Sequence, residues 1–189
     1  MSRPILVVGL TGASGTAYAV RMLQVLRDLP VETHLIVSRA AVVTMGHESD
    51  YTLEQIESLA DVVHDNTNLA AAISSGSFRT MGMIIIPCSV KTMSEIANGI
   101  NSSLISRAAD VVLKERRRLV LVVRESPLHA GHFETMLKLS HMGAIIAPPM
   151  PAMYARPKTV DDIVNHTVVR VLDLFDMDLK GINRWGQGA

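Results

Sequence analysis

The stretch Gly9-Leu10-Thr11-Gly12-Ala13-Ser14-Gly15 follows directly on the apolar run Ile5-Leu6-Val7-Val8 and predicts a strand, a tight turn and a helix. Three glycines at a spacing of three allow positive φ and let backbone N–H groups approach an anion. The helix predicted from Thr16 to Leu29 would direct its positive N-terminal end at that anion. The stretch therefore predicts a phosphate-binding turn, and a glycine turn that only packs a helix on a strand remains the alternative.

Size and charge limit the class of protein. The chain has 189 residues, 48% of them hydrophobic, which suits one domain with a substantial core. Eighteen basic residues balance eighteen acidic ones, so no overall field favours nucleic acid or an anionic membrane. The apolar runs have the length of strands, and the N-terminus has no signal-peptide pattern. We expect a single cytoplasmic domain over residues 1–189, with a C-terminal tail from about residue 176.

Short apolar runs alternate with longer amphipathic stretches, as is typical of parallel strands covered by helices on both faces. We predict strands over 5–8, 33–37, 83–86, 119–123 and 144–146. Helices are predicted over 16–29, 52–60, 69–72, 90–97, 104–114, 132–139 and 160–175. The predicted fold class is α/β, a three-layer, doubly wound parallel sheet of the Rossmann or flavodoxin type. Ligands of such sheets bind beyond the carboxyl ends of the strands.

Two loops at that edge carry polar residues. The second predicted strand ends in Ser38-Arg39, where an NAD site has an acidic residue, so NAD is disfavoured and a phosphate or flavin fits better. The loop Pro87–Thr92 also enters a predicted helix and offers donors to an anion, although Ser89 alone would serve as an ordinary helix cap. Cys88, the single cysteine, excludes an intramolecular disulfide, and we expect it to pack rather than react.

Charged side chains supply further candidates. Arg124 and Glu125 follow a buried run, where an arginine would grip a phosphate and a glutamate would carry a proton; a salt-bridged strand end is the alternative. Arg107 and Lys114 lie about two turns apart on one face of a predicted helix. The run 116–118 is interpreted as a solvated helix end that complements the helix dipole.

Three features near the C-terminal half complete the set. Arg170 lies at the edge of an apolar helix stripe and needs an anionic partner or water. Tyr154 follows the stiff segment 148–151, which would hold a phenol in place, although a packed tyrosine is as common there. The histidines at 129, 132 and 141 lack the H-E-x-x-H pattern, so no metal site is predicted. Trp185 is expected to cover a ring, a neighbouring subunit or the core.

In order and spacing, these segments closely resemble the UbiX flavin prenyltransferase family almost from end to end. The matching segments are Thr11–Gly15, Pro87–Thr92, Arg107–Val111, Leu113–Arg117, Arg124-Glu125, Pro148–Tyr154 and Arg184-Trp185-Gly186. The resemblance implies a flavoprotein that transfers a dimethylallyl group from dimethylallyl phosphate to N5 and C6 of reduced FMN, without a metal. Reduced FMN is then a substrate. Val123 and Phe133 depart from the family's usual proline and leucine, outside the implied chemistry.

The resemblance also assigns roles. The implied flavin contacts are Gly12, Ala13, Ser14, Ser38, Ser89, Val90, Lys91, Thr92 and Arg124. The implied grip on the prenyl phosphate is Lys114, Arg124, Tyr154 and Arg170. The implied catalytic residues are Ser14 beside the reacting edge of the ring, Glu125 as proton relay, and the charged Lys114 and Arg107.

Partners follow from the same resemblance. Prenylated FMN would serve a separate UbiD-type decarboxylase, as in ubiquinone biosynthesis or aromatic acid decarboxylation, and the chain would form a homo-oligomer, a dodecamer with sites between subunits. Two alternatives remain. One is a flavin-dependent decarboxylase like the cysteine decarboxylases, although the loop Pro149–Tyr154 lacks their asparagine. The other is a non-catalytic FMN carrier or accessory subunit, although carrying FMN would not need Lys114, Glu125, Tyr154 and Arg170 together.

Overall fold

The strands form one parallel sheet. The computed structural model describes residues 3–177, 179, 182 and 184. In this part of the chain the strands are β1 (Ile5–Leu10), β2 (Glu32–Val37), β3 (Val62–His64), β4 (Gly82–Cys88), β5 (Arg118–Val123) and β6 (Ile145–Ile146). Their order is β3-β2-β1-β4-β5-β6, and every neighbouring pair is parallel. The order reverses between β1 and β4, so the predicted doubly wound fold is confirmed.

Helices cover both faces of the sheet. They are α1 (Thr16–Arg27), α2 (Arg39–Glu48), α3 (Leu53–Glu57), α4 (Val90–Ala97), α5 (Leu104–Lys114), α6 (Ala130–His141) and α7 (Val160–Asp173), with 3₁₀ turns at Ala72–Ser74 and Met153–Ala155. Helices α1, α2, α3 and α7 pack on the face that holds Leu6 and Val8 of β1. Helices α4, α5 and α6 pack on the face of Val7. Because strand side chains alternate between faces, β1, β2, β4, β5 and β6 each contribute to both cores.

Three elements differ from the sequence-based predictions. Strand β3 was not predicted, because its three residues at the sheet edge are too few to show a period. Helix α2 was not predicted, because only Ala41 and Met45 of its ten residues are buried, which leaves a narrow apolar stripe. The helix predicted over 69–72 is wrong: a 3₁₀ turn over Ala72–Ser74 stands near it. None of the helices in the described residues has the length and apolar character needed to cross a bilayer.

Candidate functional site

The two loops at the switch point are joined by one side chain. Thr11 is 1% exposed, and its Oγ1 donates to the carbonyl oxygen of Pro87 at 2.7 Å. The same Oγ1 accepts from the backbone N–H of Ser89 at 2.8 Å. The end of β5 is bonded to the same loops, because the N–H of Arg124 donates to the Cys88 carbonyl at 3.1 Å. The loops after β1, β4 and β5 therefore form one connected unit at the carboxyl edge of the sheet.

The N-terminus of α1 is filled by a carboxylate of the chain itself. Oε1 of Glu48 accepts from the backbone N–H groups of Gly15 at 2.8 Å and Thr16 at 2.7 Å, and from the Thr16 hydroxyl at 2.6 Å. Its Oε2 accepts from the Ser14 hydroxyl at 2.7 Å. A phosphate at this helix end would meet a negative charge already in place. The predicted phosphate-binding role of the α1 N-terminus is therefore wrong for this arrangement.

Glu48 is ionised in this position. Burial alone would raise the pKa of its carboxyl, but the hydrogen bonds from Thr16, Ser14 and Gly15 together lower that pKa below its ordinary value. Glu48 was missed in the sequence because it ends an unpredicted helix 34 residues after Ser14. No local pattern connects the two residues; only the fold brings them together.

The three glycines of the first loop serve different purposes. Only Gly15 has a positive φ, at 122°. A Cβ on Gly12 would lie 2.4 Å from the Cβ of Ala40, and one on Gly9 would lie 3.2 Å from the terminal methyl of Met83. The expectation of positive φ is therefore wrong for Gly9 and Gly12. At these positions glycine lets the loop approach α2 and the strand approach β4.

A cavity of about 450 Å³ lies between this loop and the helices α2, α4 and α5. It is lined by five of the nine predicted flavin contacts: Gly12, Ser38, Ser89, Lys91 and Thr92. Ser38 and Ser89 are the N-caps of α2 and α4, and their side chains accept from the N–H groups of Ala41 and Thr92. The structure thus brings residues from three separate segments of the sequence to one cavity.

Free backbone donors distinguish α2 and α4 from α5 at this cavity. The N–H groups of Arg39 and Ala40 in α2, and of Val90 and Lys91 in α4, make no hydrogen bond to the residues that the structure describes. At α5, by contrast, Asn66 accepts from the N–H groups of Leu104 and Ile105. Two helix N-termini at the cavity therefore retain donors and partial positive charge for an anion.

The other predicted flavin contacts, Ala13, Ser14, Val90 and Arg124, are not among the residues that line this cavity. Ala13 is buried, and its N–H donates to the Thr11 carbonyl at 2.8 Å. Arg124 is exposed, and its guanidinium makes no hydrogen bond or ion pair within residues 3–177, 179, 182 and 184.

Oε1 of the half-buried Glu125 accepts from the Ser126 N–H at 2.9 Å. Burial raises the pKa of the Cys88 thiol to about 12, so this side chain packs as predicted and is not a thiolate.

Arg107 and Lys114 contact a different loop. Nε of Arg107 donates to the Ser74 carbonyl at 3.2 Å, and its Nη1 pairs with Asp110 at 3.0 Å. Lys114 pairs with Glu115 at 2.5 Å, and a Cβ on Gly76 would lie 2.7 Å from the Lys114 Nζ. The predicted pair of cations is thus presented on one face of α5, over the loop 74–78.

The run 116–118 is only partly the solvated helix end that was predicted. Arg117 donates to the carbonyls of Phe78 and Gly76, both at 2.7 Å, and so holds the loop 74–78 against α5. Arg118 pairs with Asp176 at 3.1 Å. The interpretation is therefore wrong for Arg117, whose donors have fixed backbone partners.

Tyr154 and Arg170 form a third group, on α7 and the segment before it. The Tyr154 hydroxyl lies 3.3 Å from Nε2 of His166, a buried residue of α7. Arg170 pairs with Asp173 at 2.5 Å, and Arg184 binds the same carboxylate through two nitrogens at 2.6 and 2.8 Å. Of the predicted prenyl-phosphate residues, Lys114, Tyr154 and Arg170 therefore each have a partner within the same chain.

In the part of the chain that the structure describes, the histidines near the start of α6 do not belong to a group that could hold a metal ion. His129 and His132 stack at 3.6 Å between ring centroids at the start of α6. Within the described residues, no group of three or more His, Cys, Asp or Glu side chains is placed to hold a metal ion. Trp185 and most of the C-terminal tail lie outside the described residues.

Comparisons with known proteins agree on one family. The family described as Flavoprotein matches residues 1–172. Flavin prenyltransferase UbiX of Escherichia coli K12 is 54% identical over 187 residues, which cover 97% of this chain and 98% of that protein.

Two solved structures extend the match. A dodecameric FMN-dependent UbiX-like decarboxylase of Escherichia coli O157:H7 is 54% identical with a TM-score of 0.95, and covers 97% of this chain and 100% of its own. AnUbiX in complex with FMN and dimethylallyl pyrophosphate is 47% identical with a TM-score of 0.93, over 97% and 99% of the two chains. The chain therefore belongs to the Flavoprotein family and, within it, to the UbiX-like flavin prenyltransferases.

Proposed function

We propose that this protein transfers a dimethylallyl group from dimethylallyl phosphate to reduced FMN, releasing phosphate and prenylated FMN. One observation carries the proposal: the cavity at the switch point offers the free N-termini of α2 and α4, while Glu48 already fills that of α1. The FMN-bound and dodecameric relatives support the same ligand and an oligomeric assembly for this chain.

The residues present fit FMN. Its phosphate carries two negative charges and suits the free donors beside Ser38 and Ser89, because two helix dipoles point at that position. In the proposed complex the ring would contact Gly12, Ala13 and Ser14. Arg124, at the end of β5, is placed to bind the flavin or the prenyl phosphate.

The acidic groups have separate roles. The Ser14 hydroxyl donates to the Glu48 carboxylate at 2.7 Å, and this bond would fix the orientation of Ser14 when a flavin is bound. Glu48 is thereby added to the residues that the sequence suggested. Glu125 is half-buried at the end of β5, next to Arg124, and we assign it the proton relay between ring and phosphate.

The basic groups stabilise the leaving phosphate. Reduced flavin supplies the nucleophile that displaces this phosphate from the primary carbon of the prenyl group. Lys114 and Arg170 would neutralise the charge that develops on the phosphate oxygens, and the Tyr154 phenol would donate a hydrogen bond to it. Because these residues occupy separate parts of one chain, we infer that neighbouring copies in an oligomer bring them to one site, and that a dodecamer is the assembly.

The direct test is anaerobic incubation of the purified protein with reduced FMN and dimethylallyl phosphate, followed by mass spectrometry of the released flavin. A mass gain of one C5H8 unit with release of phosphate supports the proposal. Unmodified flavin despite tight FMN binding would contradict it. In that case, carbon dioxide release from candidate acids would separate the decarboxylase alternative from a non-catalytic FMN carrier.

We further propose that the product leaves the protein, in the cytoplasm, for a decarboxylase of the UbiD type. The support is the family resemblance, since the only product of the proposed reaction besides phosphate is a modified cofactor. An apo UbiD-type decarboxylase that gains activity on adding the filtered reaction mixture supports this step. Failure to gain activity from a mixture that contains verified prenylated FMN would contradict it.

A further inference from the structure

Thr11 is the buried residue between the two loops of the flavin cavity. It lies next to Gly12, a lining residue, and its hydroxyl binds the carbonyl of Pro87 and the N–H of Ser89. A second contact, from the Thr11 N–H to the Pro87 carbonyl at 3.3 Å, runs in parallel. Both the donor and the acceptor capacity of one hydroxyl are therefore used to hold the β4–α4 loop against the β1–α1 loop.

These two loops have different tasks in the proposed site. The β1–α1 loop would meet the ring through Gly12 and Ser14, whereas Ser89 is the N-cap of the helix whose free N–H groups would bind the phosphate. A ligand that touches both loops gains most when their separation is set before it binds, because its second contact then requires no further ordering. A ligand that touches one loop gains little from that separation.

We propose that Thr11 is a positioning residue that sets the span between the ring and phosphate halves of the flavin site. This inference rests on the proposed function, since it takes FMN as the ligand. Thr11 itself lies behind the cavity lining, and it acts through Ser89 and Gly12. The fold would require only an apolar residue of similar shape at this position, so the hydroxyl is the part of the side chain that the proposal concerns.

The test compares Thr11→Val, which keeps the shape and removes the hydroxyl, with Thr11→Ser, which keeps the hydroxyl. Dissociation constants are measured by flavin fluorescence for FMN and riboflavin, and by competition with FMN for inorganic phosphate. We expect Thr11→Val to weaken FMN binding about tenfold or more, equivalent to about 1.4 kcal/mol. Riboflavin and inorganic phosphate, which each use one half, should change by less than about threefold. Thr11→Ser should restore FMN binding to within about threefold of the wild type.

The dissociation constant for riboflavin divided by that for FMN distinguishes a positioning role of Thr11 from a general loss of structure in the variant. General loss of structure weakens all three ligands alike, so an unchanged ratio in Thr11→Val would overturn the proposal. A Thr11→Ser variant as weak as Thr11→Val would also overturn it. Thr135→Val is the matched control: its hydroxyl donates to the Gly131 carbonyl at 2.7 Å within α6, away from the site, and the ratio should stay at the wild-type value.

The wild-type protein keeps this test apart from that of the proposed function. Tight FMN binding by the wild type with an unchanged ratio in Thr11→Val rejects the role of Thr11 alone. Failure of the wild type to prefer FMN over riboflavin rejects the flavin site itself, and with it the proposal for Thr11.

Discussion

Two regions of the molecule offer donors to an anion in different ways: the cavity at the switch point, and an outer group of cations made of Arg107, Lys114 and Arg170. At the cavity, the donors are backbone N–H groups of α2 and α4, held by the sheet and by Thr11. In the outer group, Lys114, Arg107 and Arg170 each pair with a carboxylate of the same chain. The first region is ready for a ligand within one chain; the second is neutralised by its own neighbours.

The difference follows from the flexibility of the donors. A helix N-terminus cannot turn away to find a partner, so its free N–H groups stay directed at the cavity. A lysine or arginine side chain has many rotamers and folds onto a nearby acid when no anion is present. In the proposed reaction, a prenyl phosphate would therefore displace Glu115, Asp110 or Asp173 from these cations, or bind where several copies bring additional cations together.

The largest effect is expected from Glu125→Gln, because it removes the proposed proton relay and leaves the donors of both regions in place. Prenyl transfer should fall by about 10² to 10⁴, the usual contribution of general acid–base catalysis. FMN affinity should remain close to that of the wild type. Single-turnover mass spectrometry of the flavin measures the first quantity and fluorescence titration the second. Full activity of Glu125→Gln, with the exposed Glu134→Gln as control, would remove Glu125 from the mechanism.

Lys114→Met tests the outer cations alone. Loss of one charged donor to a developing anion costs about 10² to 10³ in rate, and we expect a loss in that range with dimethylallyl phosphate. FMN binding should be unaffected, because Lys114 contacts the loop 74–78 rather than the cavity. Steady-state kinetics measure the rate of prenyl transfer, and fluorescence titration measures the affinity for FMN. Lys138→Met, which loses only a hydrogen bond to Asn98, is the control and should behave as the wild type. Weakened FMN binding in Lys114→Met would contradict the separation of the two regions, because it would show that an outer cation also contributes to FMN binding.

Gly12→Ala tests the preformed cavity. The added Cβ would lie 2.4 Å from Ala40 Cβ, so the loop or α2 must move, at a cost of about 1–3 kcal/mol in stability or ligand binding. We expect FMN affinity to fall about tenfold, read by fluorescence titration. Gly46→Ala, a helix glycine with nothing within 4 Å of the added Cβ, should leave FMN binding unchanged. Equal FMN affinity in the two variants would show that the close approach is unnecessary.

Glu48→Gln should give the smallest effect, on stability. The Glu48 carboxyl has a lowered pKa in the folded protein, so its contribution is complete above the ordinary pKa of 4.5 and is lost as pH falls through the folded-state value. At pH 7 we expect the free energy of unfolding to fall by about 1 kcal/mol, typical of an acid at a helix N-terminus. Urea unfolding at pH 7 and pH 4 measures the difference in the free energy of unfolding between the wild type and Glu48→Gln, and this difference should be smaller at pH 4. A constant difference at both pH values would contradict this reading, and Glu57→Gln serves as the control.

The sequence determined the alternation of strands and helices, because buried parallel strands are continuous apolar runs and their covering helices have a clear period. Helix α5 was predicted with its observed bounds, Leu104–Lys114, since its capping serine and wide apolar face are both legible. The glycine spacing after β1 and the polar loop after β4 likewise led to the expectation that both loops bind a ligand, which stays a prediction. Motif order and spacing also carried the resemblance to the family.

Only the tertiary structure decided which helix N-terminus is free for an anion. Glu48 comes to Ser14 across 34 residues, and Asn66 to Ile105 across 39, so neither cap can be read from a local pattern. The Thr11 hydroxyl bridges to Ser89 across 78 residues for the same reason. Periodicity reports which side of an element faces the core, whereas hydrogen bonds between distant loops depend on distances that exist only once the sheet has ordered its strands.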